Sequence, residues 1–497
     1  MTGASARTGS SAQTEGRHAN DDRAAVDRPE DRLPDGLLLA YYGDDFTGST
    51  DALEAMTAAG IPTVLFLSPP TPEALARFPG VRCVGLAGSS RGRGPAWMAA
   101  ELPAAFDALA RLGAPILQYK VCSTFDSSPA IGSIGKAIDI GAARMPGDWS
   151  PCVVGAPRLG RFQVFGNLFA VAGGVAYRLD RHPTMARHPV TPMDEADLPR
   201  HLAKQTSRPI ALLDWMRLRR GDAAPPRRVA GTPEASGPGR LAPGPEPAHE
   251  APVVFIDVID EQTLAEAGRL VWEHRGAGLF SASSSGLDYA LAAWWRARGW
   301  LPEAPGLPPA AAAPVIAAVS GSCSPVTAGQ LRWARENGFL TERLDLRRAL
   351  CDASRAAELE RVTRSAADAL RAGRSAIVFS AEGPDDPAVT GFDEIATRAG
   401  LSRSEAARRV GECLAEAMRG MLGKASPRRI VVAGGDSSGE VACALGIEAL
   451  TAQAAIAPGA PLCRAWSANP LRDGLEIVLK GGQMGGEDFF GAALGRR

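Results

Sequence analysis

Short apolar runs alternate with longer amphipathic segments along most of this 497-residue chain, from Leu37 to the C-terminus. Apolar runs such as Thr63–Leu67 and Ile116–Cys122 have the length of buried strands, and segments with a helical pattern such as Ala96–Leu112 lie between several of them. Parallel strands need a long crossover connection, and a helix usually provides it. The alternation therefore predicts an α/β fold built from mostly parallel sheets with flanking helices.

Two breaks in this pattern predict the domain organisation. Residues 219–252 consist largely of Pro, Gly and Ala, and the α/β pattern resumes after them, which indicates a flexible insertion within the first domain. A second Pro- and Ala-rich stretch precedes a new α/β block and is the better boundary. We therefore predict a first domain over 36–305, a second over 314–497, and an active site in the cleft between them. Residues 1–35 are polar and charged, which predicts a disordered tail.

The overall composition excludes several classes of protein. A formal net charge of −1 disfavours a general nucleic-acid binder. The eight cysteines include no CxxC pair, so neither a zinc ribbon nor a thioredoxin-like motif is indicated, and reduced thiols in a cytoplasmic protein are expected. No apolar run reaches the roughly 18 residues of a membrane span, and the first 35 residues contain no apolar h-region, so a secretory signal is not expected there. A homo-oligomer stays open.

Two adjacent carboxylates occur at a predicted strand-to-helix turn near the start of the first domain. The motif GDDFTGSTD at 43–51 follows the apolar run Leu37–Tyr42 and precedes a helical segment. In open α/β sheets, ligands bind at the carboxyl ends of the strands. Asp44 and Asp45 therefore predict a site for a polar substrate, a metal ion or both.

Cationic side chains follow two other strands of the first domain. Arg91 comes after the predicted strand Val81–Ala87, and Lys120 lies on a strand that leads into a hydroxyl-rich stretch. Arginine can hold a carboxylate through two hydrogen bonds, and aspartate can accept from sugar hydroxyls, so these residue types favour a small hydroxylated acid. The alternative for Lys120 is a simple ion pair with a neighbouring acid.

Three glycine- and hydroxyl-rich turns follow strands of the second domain, at 320–324, 433–439 and 480–486. Glycine lets backbone N–H groups approach a ligand, and helix N-termini attract phosphate groups. Each turn alone is equally typical of a plain tight turn, but three in one domain favour a nucleotide site. The second turn is expected to precede a helix at Glu440–Leu445. Neither a Walker A motif nor GxGxxG occurs, which disfavours a dehydrogenase.

Four motifs in order along the chain carry a family resemblance. They are GDDFTGSTD at 43–51, KVCSTFDSSP at 120–129, AGGDSSGE at 433–440 and KGGQMGGEDFF at 480–490. Together they resemble the four-carbon acid sugar kinase family over most of the chain. The resemblance implies an N-terminal sugar-acid-binding domain, a C-terminal nucleotide-binding domain and ATP-dependent phosphorylation of a small sugar acid. Threonate, erythronate, 3-oxo-tetronate and the branched 3-oxo-isoapionate are candidate substrates.

The resemblance also implies which residues bind each substrate. Asp44, Asp45, Arg91 and Lys120 would lie at the sugar-acid site. Ser322, Ser324, Gly434, Gly435, Asp436, Ser437, Gly481 and Gly482 would lie at the ATP site. Mg²⁺ would bridge phosphate oxygens, with no protein ligand predicted, and Asp45 or Asp436 would orient or deprotonate the attacking hydroxyl. The alternative hypothesis is a non-catalytic sensor that binds a nucleotide and a sugar acid.

Overall fold

A computed structural model describes residues 1, 32–187, 191–226, 250–303 and 306–495 of the chain. Most of the predicted disordered tail and most of the predicted insertion lie outside the described residues. Leu33 is already buried, and Arg82 Nη2 donates a hydrogen bond to Pro34 O. The packed part of the chain therefore begins a few residues earlier than predicted.

The N-terminal half contributes strands to three sheets. Its strands are β1 (Leu39–Gly43), β2 (Thr63–Phe66), β3 (Cys83–Ala87), β4 (Ile116–Lys120), β5 (Ser150–Cys152), β6 (Arg161–Val164), β7 (Asn167–Ala172), β8 (Val175–Arg178), β9 (Ile210–Leu213), β10 (Val253–Ile256) and β11 (Leu279–Ser283). Its helices are α1 (Phe46–Ala58), α2 (Pro72–Ala76), α3 (Pro95–Ala110), α4 (Ile134–Ala142), α5 (Leu198–Leu202), α6 (Trp215–Arg220), α7 (Glu261–Glu273) and α8 (Gly286–Ala297).

The C-terminal half repeats the α/β style. Its strands are β12 (Ile316–Ser320), β13 (Leu340–Arg343), β14 (Ala376–Phe379), β15 (Arg429–Ala433), β16 (Ala449–Ala457), β17 (Ala460–Trp466) and β18 (Glu476–Lys480). Its helices are α9 (Pro325–Glu336), α10 (Leu346–Ala349), α11 (Asp352–Arg371), α12 (Pro387–Thr390), α13 (Phe392–Arg398), α14 (Arg403–Ala425), α15 (Gly435–Ala444) and α16 (Phe489–Leu494). Within the described part of the chain, no helix is both long and apolar enough to cross a membrane.

One twelve-stranded sheet runs through both halves, in the order β11-β4-β1-β3-β2-β16-β17-β18-β15-β12-β14-β13. The strands β11, β4, β1, β3 and β2 are parallel to one another, and so are β18, β15, β12, β14 and β13. This confirms the predicted α/β fold with a mostly parallel sheet in each half. The antiparallel hairpin β16–β17, which the sequence pattern did not predict, joins β2 to β18.

The joining hairpin is irregular, and α1 packs beside it between the halves. The pairing of β16 with β17 shifts register on either side of Ala454, and such bulges bend a strand and increase its twist. Phe46 at the start of α1 lies so close to α15 that a side chain on Gly439 would come within 2.7 Å of its ring. The first helix of the N-terminal half therefore contacts the C-terminal half directly.

The helix after β15 begins at Gly435, five residues before the predicted start at Glu440. Gly434 has a φ of +126°, a conformation that favours glycine, and it turns the chain straight from the strand into the helix. An acidic residue such as Asp436 in the first turn favours a helix, so the polar run begins the helix instead of forming a loop. The prediction of a loop was wrong there, and Asp436 and Ser437 lie on the first helical turn.

Candidate active site between the two halves

Asp45 caps the N-terminus of α1 at the carboxyl end of β1. Its Oδ1 accepts a hydrogen bond from Gly48 N at 2.6 Å, and Thr47 Oγ1 donates to its Oδ2 at 2.9 Å. An aspartate at this position satisfies an amide of the first helical turn that has no partner within the helix. A side chain on Gly48 would collide with Oδ1, which explains the glycine in the middle of the GDDFTGSTD motif.

Arg91 brings two carboxylates together. Its Nε donates to Asp44 Oδ2 at 3.0 Å and its Nη2 donates to Asp44 Oδ1 at 2.7 Å, while Nη2 also lies 3.0 Å from Asp45 Oδ1. Arg91 belongs to the short 3₁₀ turn Ser90–Gly92 that follows β3. Burial raises the pKa of Asp44, and the charge of Arg91 opposes this effect. The Arg91 guanidinium is therefore already engaged by two carboxylates.

Lys120 ends β4 and pairs with a carboxylate of α1. Its Nζ lies 3.2 Å from Asp51 Oδ2 and donates to Val121 O at 3.1 Å, and the side chain is only 1% exposed. Burial alone would lower the pKa of Lys120, but Asp51 and the neighbouring carboxylates outweigh it and raise the pKa. Lys120 also stays close to the opening turn, because Asp44 N donates to Lys120 O at 2.9 Å.

Asp51 is a further charged group here that the sequence pattern did not single out. It lies within the same GDDFTGSTD motif and on the same helix as the Asp45 cap. Its place in this motif is the sequence feature that could have pointed to Asp51, but only the side-chain geometry identifies its partner. The structure thus contains the ion pair that was the alternative for Lys120, and it lies beside Asp44 and Asp45.

The first and third glycine-rich turns of the C-terminal half meet through hydroxyl groups. The Thr327 hydroxyl lies 3.0 Å from Ser322 Oγ and 3.1 Å from Gly482 O. Ser324 caps α9 by accepting a hydrogen bond from Val326 N at 3.1 Å. A side chain on Gly482 would come within 2.9 Å of Ser322 Oγ. These two turns therefore fit each other only with glycine at 482.

The second turn completes this surface. A side chain on Gly434 would lie 3.4 Å from Ser322 N, and one on Gly321 would collide with Ser437 Oγ. The three turns follow β12, β15 and β18, which are neighbouring parallel strands, so all three lie at one edge of the sheet. The N-termini of α9 and α15 open onto the same edge, and free N–H groups at such termini attract anions.

Predicted residues of the two halves lie next to each other where the halves meet. A side chain on Gly435 would lie 3.9 Å from Asp45 Oδ2, and one on Gly481 would lie 3.5 Å from Thr47 Oγ1. The N-terminus of α1 therefore points at the turns that follow β15 and β18. This arrangement brings the opening motif and the second and third glycine-rich turns together.

Asp436 has a different environment from Asp45. It is exposed on the first turn of α15, and within the described residues it makes no hydrogen bond or ion pair. Burial, followed by the charge of Asp436, raises the pKa of Glu440 to about 7. Asp45 is held by Gly48, Thr47 and Arg91, whereas Asp436 keeps a free carboxylate at the edge of the site.

Lys480 is a further residue of the C-terminal half to which the sequence pattern assigned no role. It is the last residue of β18, it is fully buried, and its Nζ donates to Thr327 Oγ1 at 3.0 Å. Burial lowers the pKa of Lys480 to about 7. Its position at the start of the KGGQMGG turn is the sequence feature that could have pointed to it. No carboxylate of the described residues forms an ion pair with it.

Two known domain families match the two halves of the chain. Residues 39–291 match the sugar-binding N-terminal domain, and residues 317–490 match the nucleotide-binding C-terminal domain. The chain belongs to the four-carbon acid sugar kinase family. This confirms the predicted class of activity for this acid sugar kinase: it is a kinase that acts on a sugar acid, with ATP as co-substrate.

Relatives of this acid sugar kinase align with nearly its whole length. A 3-oxo-isoapionate kinase of Paraburkholderia graminis is 66% identical over 458 residues, which cover 92% of this chain and 94% of that protein. A 3-oxo-tetronate kinase of Cupriavidus necator is 32% identical, with 92% and 96% covered. The crystal structure of the Haemophilus influenzae protein HI1011 shares the fold, with a TM-score of 0.62, 22% identity, and 92% and 99% covered.

Proposed function

We propose that this acid sugar kinase transfers the terminal phosphoryl group of ATP to a hydroxyl of 3-oxo-isoapionate or a closely similar branched 3-oxo acid. The proposal of this acid is supported by the 66% identity to a 3-oxo-isoapionate kinase, compared with 32% to a 3-oxo-tetronate kinase. In this proposal residues 36–305 bind the acid and residues 314–497 bind ATP, with residues 219–252 as an insertion in the acid-binding domain.

The observation that carries the proposed mechanism is the position of Asp45 opposite Gly435. Phosphoryl transfer needs in-line positioning of the hydroxyl and the phosphate, together with stabilisation of negative charge. The α15 and α9 N-termini supply N–H donors for the phosphates, lined by Ser322, Ser324 and Gly434. The acid would bind on the opposite wall, beside Asp44 and the residues that follow β1, β3 and β4.

Asp45 is the group that we assign to the attacking hydroxyl. Its Oδ1 is occupied by Gly48 N and Arg91, whereas its Oδ2 accepts only from Thr47 and is the atom that faces Gly435. A carboxylate oxygen has room for a second donor. In this proposal Asp45 Oδ2 accepts a hydrogen bond from the substrate hydroxyl and takes its proton.

Mg²⁺ is proposed to enter together with the phosphates of ATP. The described residues contain no cluster of three or more His, Cys, Asp or Glu that could hold a metal ion. This fits Mg²⁺, which commonly uses one or two carboxylates, substrate phosphates and water. Asp436, with its free carboxylate beside the phosphate turns, is the residue that would hold it. The ion would supply neutralisation of phosphate charge.

A coupled assay of ADP release tests this function. With Mg²⁺ and ATP, we expect release that depends on the acid, with a higher kcat/KM for 3-oxo-isoapionate than for 3-oxo-tetronate, threonate or erythronate. A higher kcat/KM for 3-oxo-tetronate would contradict the proposed acid. Thermal stabilisation by ATP and by the acid without any ADP release would favour the non-catalytic alternative instead.

A further inference from the structure

The residues predicted to bind the acid leave no cation free for its carboxylate. Arg91 is engaged by Asp44 and Asp45, and Lys120 is engaged by Asp51. Three carboxylates therefore stand against two cations at the ends of β1, β3 and β4. An anionic substrate entering such a site meets unfavourable charge unless another cation lies nearby.

Arg161, the first residue of β6, is a cation with an unused binding edge. Its Nη1 lies within hydrogen-bond distance of three backbone carbonyls, at 3.0 Å from Leu159 O, 3.3 Å from Gly160 O and 3.5 Å from Val171 O. Its Nε is buried without a hydrogen-bond partner. Among the described residues, Nη2 has no partner either, and no carboxylate forms an ion pair with this guanidinium.

The free edge of Arg161 has the geometry of a carboxylate site. Nε and Nη2 form the side of a guanidinium that donates two parallel hydrogen bonds to one carboxylate. The contacts of Nη1 to the backbone fix the group, so little rotamer freedom would be lost on binding. A buried N–H without a partner is unfavourable, and a ligand carboxylate would provide the missing acceptor.

Arg161 also lies close to the proposed acid site. Burial lowers the pKa of Arg161, and the neighbouring Cys122 and Asp51 oppose part of that lowering. Asp51 is the ion-pair partner of Lys120. Cys122 follows Lys120 by two residues, and the charge of Arg91 acts to lower the pKa of its thiol.

The backbone also links Arg161 to this site, since Arg161 pairs with Ala156, and a side chain on Gly286 would collide with Gly155 O. Gly286 follows β11, whose last residue, Ser283, is the register partner of Lys120. The start of β6 therefore lies near the carboxyl ends of β4 and β11.

We propose that Arg161 binds the carboxylate of the acid substrate through its Nε–Nη2 edge and so selects acids over neutral sugars. This inference rests on the proposed function, because it assigns one contact within the acceptor pocket. In this arrangement Arg161 holds the acid end of the substrate, while Asp45 contacts the hydroxyl at the other end.

Calorimetric binding of 3-oxo-isoapionate and of its carboxamide, in the presence of ADP, tests the contact. Arg161→Gln is expected to weaken binding of the acid about 10- to 100-fold, the range for a lost charge-assisted contact. It should leave the affinity for the carboxamide and the KM for ATP unchanged. Arg161→Lys, which keeps the charge but loses the two-pronged geometry, should fall between Arg161→Gln and the wild type.

Arg158→Gln is the matched control, since Arg158 is an exposed arginine three residues earlier, in the 3₁₀ turn before β6. It should bind both ligands as the wild type does. Equal weakening of acid and carboxamide in Arg161→Gln and Arg161→Lys, with a lowered Tm, would indicate a structural role and overturn the inference. Unchanged acid binding in both variants would also overturn it, as would absence of acid binding by the wild type.

The same experiment separates this inference from the proposed function. Acid binding that depends on Arg161 without phosphoryl transfer would support the contact and contradict the kinase assignment. Phosphoryl transfer by the wild type, together with an unchanged acid affinity in Arg161→Gln, would contradict the contact alone.

Discussion

Asp45 lies next to Gly435 where the two halves meet, with 3.9 Å between Asp45 Oδ2 and the position that a side chain on Gly435 would occupy. The two residues come from opposite halves of the chain. They meet because α1 and α15 direct their N-termini at the same space, and each N-terminus carries partial positive charge. A phosphoryl group bound at the N-terminus of α15 would be close to both the Asp45 carboxylate and backbone donors.

Asp45→Asn should abolish most turnover without unfolding the protein. Asparagine is as good a helix cap as aspartate, so its side-chain oxygen can still accept from Gly48 N. The amide cannot take a proton from the hydroxyl, and we expect kcat to fall about 10²- to 10⁴-fold. Steady-state kinetics and a thermal melt of the same sample measure the two effects.

Asp45→Ala serves as the structural control, because it removes the cap and should destabilise the protein by about 1 kcal/mol. A wild-type kcat in Asp45→Asn would remove the role assigned to that carboxylate.

Asp436→Asn makes the corresponding test on the nucleotide side. It should leave the Tm unchanged and raise the Mg²⁺ concentration needed for half-maximal rate.

Gly482→Ala should raise the KM for ATP. The new methyl group would come within 2.9 Å of Ser322 Oγ and 3.1 Å of Ser324 Cβ, so the first and third turns must move apart. We expect a KM for ATP at least about tenfold higher, because a small misplacement of binding groups has a large effect. The KM for the acid should change little.

Gly423→Ala is the matched glycine control. Gly423 lies exposed near the end of α14, and a side chain there meets nothing within 4 Å. Alanine favours the helix by roughly 0.5–1 kcal/mol over glycine, so this variant should be as active as wild type and slightly more stable. Equal KM values for ATP in both alanine variants would contradict the fit of the two turns.

Lys480→Met should bind the nucleotide more weakly than wild type but should be more stable. Burial lowers the pKa of Lys480 to about 7, whereas an unfolded lysine titrates near pH 10.4. Between these values the unfolded chain binds more protons, so wild-type stability should rise with pH, by at most about 1.4 kcal/mol per unit for this group. Denaturant melts from pH 7 to 10 should show that rise, and Lys480→Met should lack it.

The same lysine should matter for ATP because it lies behind the Thr327–Ser322 hydroxyl pair. Bound phosphates favour its charged form, so wild-type affinity for ATP should weaken as pH rises above about 7. Lys480→Met should bind ATP more weakly at pH 6.5, with a flatter pH profile. An identical pH profile in the two proteins would exclude Lys480 from phosphate binding.

Asp288→Asn should stabilise the protein at alkaline pH. Asp288 is fully buried on α8, its Oδ1 has no partner among the described residues, and burial raises its pKa to about 8. From about pH 4 to 8 the folded state binds more protons than the unfolded state. Wild-type stability should therefore fall over this range, by at most about 1.4 kcal/mol per unit from this group.

The variant should remove this slope while keeping the contact at Oδ2, where Gln118 Nε2 donates at 3.3 Å. Asp148→Asn, a change at an exposed aspartate, should leave the slope as in wild type. Denaturant melts at pH 5 and pH 8.5 distinguish the two variants. A slope that persists in Asp288→Asn would assign it to other carboxylates.

Local pattern predicted the secondary structure near the site well. Strands such as β12 and β15 are mostly apolar runs before polar turns, so their positions follow from hydrophobicity and length. The hairpin β16–β17 escaped prediction because its Ala-rich segment ALTAQAAIA has only two β-branched residues, Thr451 and Ile456, and no aromatic residue. That hairpin makes the two halves share one sheet, which no local pattern could indicate.

The candidate site likewise has residues that the sequence predicted and residues that only the folded structure identified. The motif at 43–51 and the three glycine-rich turns are contiguous in sequence, so their residue types alone predict ligand-binding turns. Arg161 lies in an ordinary stretch of polar and apolar residues, and nothing local distinguishes its guanidinium from the many other arginines in the chain. Its significance depends on which of its N–H groups find acceptors after folding.

The sequence by itself determined the α/β class, the strand-end turns and the family, because these depend on short-range patterns of hydrophobicity, glycine and hydroxyl residues. Only the tertiary structure decided which charges neutralise each other. Arg91 and Lys120 are paired by Asp44, Asp45 and Asp51, whereas Arg161 keeps a free edge. Electrostatic interactions depend on distance and burial in space, and neither quantity is encoded in the separation of residues along the chain.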